Sequence, residues 1–151
     1  MESENEDQAS DALTVIGEAR AAAADRLVTP WWYHPILGFL VSAYVIGFSL
    51  GNTLVRAVSL VLFLGGCLLL VRAYRRLTGV WISGFDAGPA SRWAWILGGA
   101  TATAMLGSLI IAWTTSLVWP TWCIAVAAGV GVVIVGRRFD VALRAQLRAG
   151  A

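Results

Sequence analysis

Four long apolar runs, separated by short polar or charged interruptions, set the pattern of this chain. A membrane-spanning helix needs about 20 consecutive, mostly apolar residues. The runs predict such helices at roughly 32–50, 54–71, 93–113 and 119–135. Gly51-Asn52-Thr53 leaves room only for a tight turn, so the first two helices must be antiparallel neighbours. Residues Thr114 to Pro120 form a second short connection. Arg72, Arg75 and Arg76 stop the second run, Arg92 precedes the third, and Arg137-Arg138 close the fourth. The expected fold is all-α: an integral membrane, antiparallel four-helix bundle with a cytoplasmic helix at each end.

The flanks follow different rules. Residues 1–10 carry Glu2, Glu4, Glu6 and Asp7 and almost nothing apolar. Such a segment cannot offset its ordering entropy and is expected to be a disordered acidic tail. Residues 11–28 read as an amphipathic cytoplasmic helix, with Asp11, Glu18 and Asp25 recurring every seven residues opposite an Ala-rich stripe. Thr29-Pro30 ends it, and Trp31-Trp32-Tyr33-His34-Pro35 marks a membrane boundary, because rings with polar edges settle at headgroup level. Proline is accepted there because the first turn of a helix leaves its N–H groups unpartnered. The connection 72–92 is expected to lie in the interface, since Val80 to Phe85, with Trp81, is too short to span and too apolar to stay in water. Residues 136–151 read as a basic helical tail, in which Asp140 and Arg144 stand four residues apart.

Composition strengthens this picture. With 58% hydrophobic and 13% charged residues, the chain lies far from the roughly 25% charged residues of soluble domains. All 11 basic residues are arginines. Ten lie outside the apolar runs, in the segments before the first, between the second and third, and after the fourth. Loops rich in positive charge stay in the cytoplasm. Both termini are therefore expected inside a multi-pass protein of the bacterial inner membrane. The acidic first residues lack the basic start of a cleavable signal, so the first span is expected to act as an uncleaved insertion signal.

The apolar runs hold little reactive chemistry. Arg56 is the ionisable residue within them, two positions into the second, where its side chain can snorkel to the headgroups. His34, the single histidine, sits at the boundary with no partner the sequence can name. An interfacial or capping role is expected of it rather than catalysis. Cys67 and Cys123 form no CxxC pair and read as small apolar residues. No phosphate loop, HExxH sequence or metal-ligand cluster occurs. No cofactor, catalytic residue or nucleic-acid partner is expected, and an enzyme is disfavoured. Ser42, Ser49, Ser59, Thr101, Thr103 and Ser108 are expected to bond between helices or to their own backbone.

Small residues recur at four-residue spacing, as in Ala100, Ala104, Ser108 and Ala112, in Ala125 and Gly129, and in Ala127 and Gly131. They predict close helix packing, within the bundle or between protomers. At the cytoplasmic side, Arg72, Arg75, Arg76, Trp81, Arg137, Arg138, Arg144 and Arg148 are candidate contacts for anionic inner-leaflet lipids or a protein partner. The acidic face of 11–28 could instead pair with Arg137, Arg144 and Arg148, within one protomer or in a homo-oligomer.

The stretch EARAAAADRLVTPWWYHPILG (18–38), with GVWISGF in the middle connection and RRFDVALRAQLRAG after the last run, resembles uncharacterised small four-span membrane proteins of high-GC actinobacteria. The resemblance implies the topology and carries no activity or site residue. Three readings follow. The first is a non-enzymatic accessory or scaffold protein presenting its cytoplasmic face. The second is a small oligomeric transporter or lipid-handling protein, whose path Tyr44, Ser59, Thr103 and Ser108 would frame. The third is an enzyme of lipid headgroups, which requires His34 and two of the 72–92 arginines in one pocket.

Overall fold

The computed structural model describes residues 8, 12–17, 29–78 and 88–149. The fold is all-α, with four helices long and apolar enough to cross a membrane. These are α1 (Tyr33–Leu50), α2 (Thr53–Thr78), α3 (Ser91–Thr114) and α4 (Trp119–Ala149), with a short 3₁₀ turn at Gly88–Ala90. Residues 12–17 are also helical and exposed. The acidic segment 1–7, the remainder of the 11–28 helix, and the middle connection at 79–87 with Trp81 lie outside the described residues.

Local chemistry sets the helix ends. Pro35 falls in the first turn of α1, where it displaces no helical hydrogen bond. Asn52 caps α2: its side-chain Oδ1 accepts from the Val55 N–H at 3.0 Å, and its carbonyl accepts from the Arg56 N–H at 2.9 Å. This cap, together with extended backbone at Gly51, makes the α1–α2 turn as tight as the sequence requires. Thr114 and Thr115 donate their hydroxyls to the Ile110 and Ile111 carbonyls at 2.8 Å, covering the C-terminal end of α3. Two helices outrun the apolar runs that predict them. Helix α2 continues past Arg72, Arg75 and Arg76 to Thr78, and α4 runs 31 residues without a break into the basic tail. At 1.5 Å per residue α4 is about 46 Å long, well beyond a hydrocarbon core of about 30 Å.

Helix α1 is central, packing against each of the other three, and α3 and α4 also pack together. The cross-helix pairs Tyr33–Tyr74 and Tyr44–Phe63 run α2 antiparallel to α1. His34–Asp140 and Ser42–Ala125 do the same for α4. Burial follows this order. In the most apolar windows of α1 and α4, 28% of residues are buried, against 6% in α2 and α3.

The α1–α4 seam is the tightest part of the molecule. Its buried positions are His34, Gly38, Val41, Val45 and Ser49 on α1, and Thr121, Ala125, Gly129, Val132 and Gly136 on α4, both at helical spacing. Gly38 and Gly129 bring the two backbones together: a Cβ on Gly38 would lie 2.6 Å from the Gly129 carbonyl oxygen. Ser42 crosses the seam, donating to the Ala125 carbonyl at 2.8 Å. On α3 the small residues behave differently. Ser108 is buried and donates to Ser49 at 2.9 Å, but Gly98, Gly99 and Gly107 meet no neighbouring atom where a Cβ would stand. Ala100, Ala104, Ala127 and Gly131 line a shallow hollow of about 280 Å³ between α3 and α4. Close small-residue packing is thus concentrated at α1–α4.

Candidate functional site

Helices α2 and α3 both face α1 yet make little contact with each other. The gap between them, backed by α1 and α4, is a cavity of about 620 Å³. That is within the roughly 300–1,000 Å³ of small-molecule sites. Most of its wall is apolar, from Leu37, Val41, Phe63, Leu97, Ala102, Met105, Val132 and Val135. Gly98 and Ala102 on α3 leave space rather than filling it, which is why small residues here open a chamber instead of closing a seam.

Polar groups collect at one end. Tyr33 and His34 at the start of α1, Tyr74 near the end of α2, Trp93 at the start of α3 and Asp140 on α4 all line this end, with Thr29 beside them. The centre of the group is a hydrogen bond of 2.7 Å between His34 Nε2 and Asp140 Oδ2, across 106 residues of sequence. His34 is 7% exposed. Its Nδ1 packs against Gly136 and has no hydrogen-bond partner. Nε2 is placed to donate to the carboxylate. Tyr33 stands edge-on to both His34 and Tyr74, with centroids 5.4 Å apart in each case. Arg144 turns back along its own helix and donates from Nε to the Asp140 carbonyl at 3.2 Å. The Asp140 carboxylate is thereby engaged by His34.

The expected site residues are distributed unevenly about this cavity. His34 lies in it, buried within the bundle, with a side-chain partner that the sequence does not reveal. Arg72, Arg75, Arg76, Arg137 and Arg138 are exposed and Arg144 is half-buried; none of them lines the cavity. Trp81 lies outside the described residues, and Arg148 is on the last turn of α4. Arg56 sits over the Phe48 ring at 6.0 Å, near the opposite end of the bundle. Arg92 likewise stays outside, over the Trp93 ring at 5.8 Å. The convergence of His34 with middle-connection arginines, on which a headgroup enzyme would depend, does not occur among the described residues. Nor do Tyr44, Ser59, Thr103 or Ser108 frame the chamber. Tyr44 stacks on Phe63 at 4.7 Å, and Ser108 is tied to Ser49.

Asp140 is the residue that sequence reasoning misplaces, as a tail residue paired along the helix with Arg144. A signal was present. Ala125, Gly129, Val132 and Gly136 form one inward stripe, and the next position on that stripe is 140. Cys67 and Cys123 are unpaired thiols on α2 and α4. Among the described residues no group of three His, Cys, Asp or Glu side chains could hold a metal ion.

Fold and cavity together define a small four-helix membrane protein with a lateral chamber, apolar along its length and polar at one end. No family model, curated protein or solved structure matches the chain. The actinobacterial resemblance is supported only at the level of a small four-span membrane protein.

Proposed function

We propose that this protein handles an amphiphile, holding one lipid-like molecule in the chamber between α2 and α3. The observation that carries this reading is the division of the cavity wall, with an apolar length and a polar cluster at one end. An apolar tail entering it would exchange one hydrocarbon environment for another. The hydrogen-bonding groups at His34–Asp140 would then select and orient the head. The little-contacting α2 and α3 supply a route from the bilayer that does not pass through water. The accessory role expected from the sequence would rest on 1–28, the middle connection and the tail 139–151, and most of the first two lie outside the described residues.

The arginine distribution supports placing the polar end of the chamber at the cytoplasmic face of a bacterial inner membrane, with both termini on that side. Arg72, Arg75, Arg76, Arg137 and Arg138 flank that end in the exposed positions where anionic headgroups would meet them.

Gly98→Leu tests the reading. No atom lies within 4 Å of a Cβ at Gly98, and the residue lines the chamber, so the leucine fills space without a clash. Native mass spectrometry of protein released from nanodiscs should show one retained amphiphile for the wild type and none for Gly98→Leu, with both proteins equally helical by circular dichroism. Equal retention by both would refute the reading.

A further inference from the structure

The head end of the chamber has an unusual balance of charge and aromatic surface. The lining residues include one carboxylate, Asp140, and no arginine. His34 Nε2 stands 2.7 Å from Asp140 Oδ2, and its Nδ1 is buried without a partner. The hydrogen bond with His34 uses Oδ2 of this carboxylate. Tyr33, Tyr74, Trp93 and Phe139 line the same cavity. Aromatic faces attract cations through the ring quadrupole, and groups of rings recognise quaternary ammonium in this way.

We propose that the amphiphile held in this chamber is cationic: an alkylammonium-type molecule whose charged head sits among Asp140 and the rings of Tyr33, Tyr74, Trp93 and Phe139. This rests on the amphiphile-handling reading above and assigns the class of ligand. A phosphate or sulfate head at the same depth would stand beside the Asp140 carboxylate, with no arginine in the cavity wall to pair with it. The neighbouring arginines lie outside the cavity wall. Arg72, Arg75, Arg76, Arg137 and Arg138 are exposed; Arg92, also exposed, lies over the Trp93 ring at 5.8 Å, and the half-buried Arg144 donates to the Asp140 carbonyl, so these two are the cations nearest the head. Exposed charges act through water and are screened over about 8 Å at physiological salt. Asp140 acts at the wall itself.

A matched-tail series separates the parts of this argument. Radiolabelled dodecyltrimethylammonium, dodecanol and dodecyl sulfate are equilibrated with the full-length protein in nanodiscs, and empty nanodiscs correct for partition. The expected result is saturable binding at one site, with dodecyltrimethylammonium favoured over dodecanol by about tenfold or more, the scale of one good cation–π or charge contact. Dodecyl sulfate should bind weakest. Asp140→Asn keeps an acceptor for His34 Nε2 and should bring the cation to within about threefold of dodecanol. Trp93→Leu should weaken the cation more than it weakens dodecanol. Equal binding of all three probes, or tighter binding of dodecyl sulfate, would overturn the cation assignment and leave the amphiphile chamber standing. Absence of saturable binding for every probe would overturn both.

Discussion

The His34–Asp140 hydrogen bond joins the first turn of α1 to a point past the middle of α4, and its energetic weight can be measured. The two side chains are 10% and 15% exposed, and their heavy atoms are 2.7 Å apart. A hydrogen bond to a charged group contributes about 1.5–3 kcal/mol. The residual exposure of both side chains argues for the lower half of that range. A double-mutant cycle with His34→Ala, Asp140→Ala and the double variant should therefore give a coupling energy of about 1.5–2 kcal/mol. Each single variant should lose more than this coupling, because it leaves a buried partner unsatisfied. Reversible unfolding in mixed micelles, followed by circular dichroism, supplies the four free energies. Additivity within about 0.5 kcal/mol, the scatter of independent sites, would mean that the two side chains do not act on each other and that the polar end is not organised as described.

Two further outcomes follow from the packing and from the charge pattern. Gly129→Val should cost about 1–3 kcal/mol of overpacking strain in the same unfolding assay. Its Cβ would strike the Ser42 hydroxyl, which is anchored to Ala125, and would lie 2.9 Å from the Gly38 carbonyl oxygen. Gly131→Ala, where a Cβ meets nothing within 4 Å, should be neutral; equal effects at both positions would contradict the α1–α4 seam. Reporter fusions after Ala149 should report a cytoplasmic location, and fusions within 115–118 a periplasmic one; the reverse pattern would invert the proposed orientation.

Much of the architecture is legible in the sequence because hydrocarbon imposes strong constraints on a polypeptide. Apolar length is needed to cross, and arginine clusters mark where crossing stops, so four helices and their short turns follow from patterning alone. The end of α2 is less legible, because a helix does not stop where hydropathy changes. Arg72, Arg75 and Arg76 end an apolar run without ending α2, and Arg137-Arg138 sit within an unbroken α4. That continuity carries Asp140 onto the inward face and gives His34 its partner. The chamber is harder still to foresee. Small residues at four-residue spacing read alike whether they close a seam, as Gly38 and Gly129 do, or hold space open, as Gly98 and Ala102 do. Which occurs depends on the partner helix, and α2, little buried along its most apolar window, does not come across to fill the gap.

An experimental structure of the protein in lipid nanodiscs addresses the account most directly. A cavity between α2 and α3 occupied by an elongated density, its head beside Asp140 and its tail reaching Met105, is the predicted result. Helices α2 and α3 in direct contact, with the chamber closed or filled by side chains of another protomer, would contradict it.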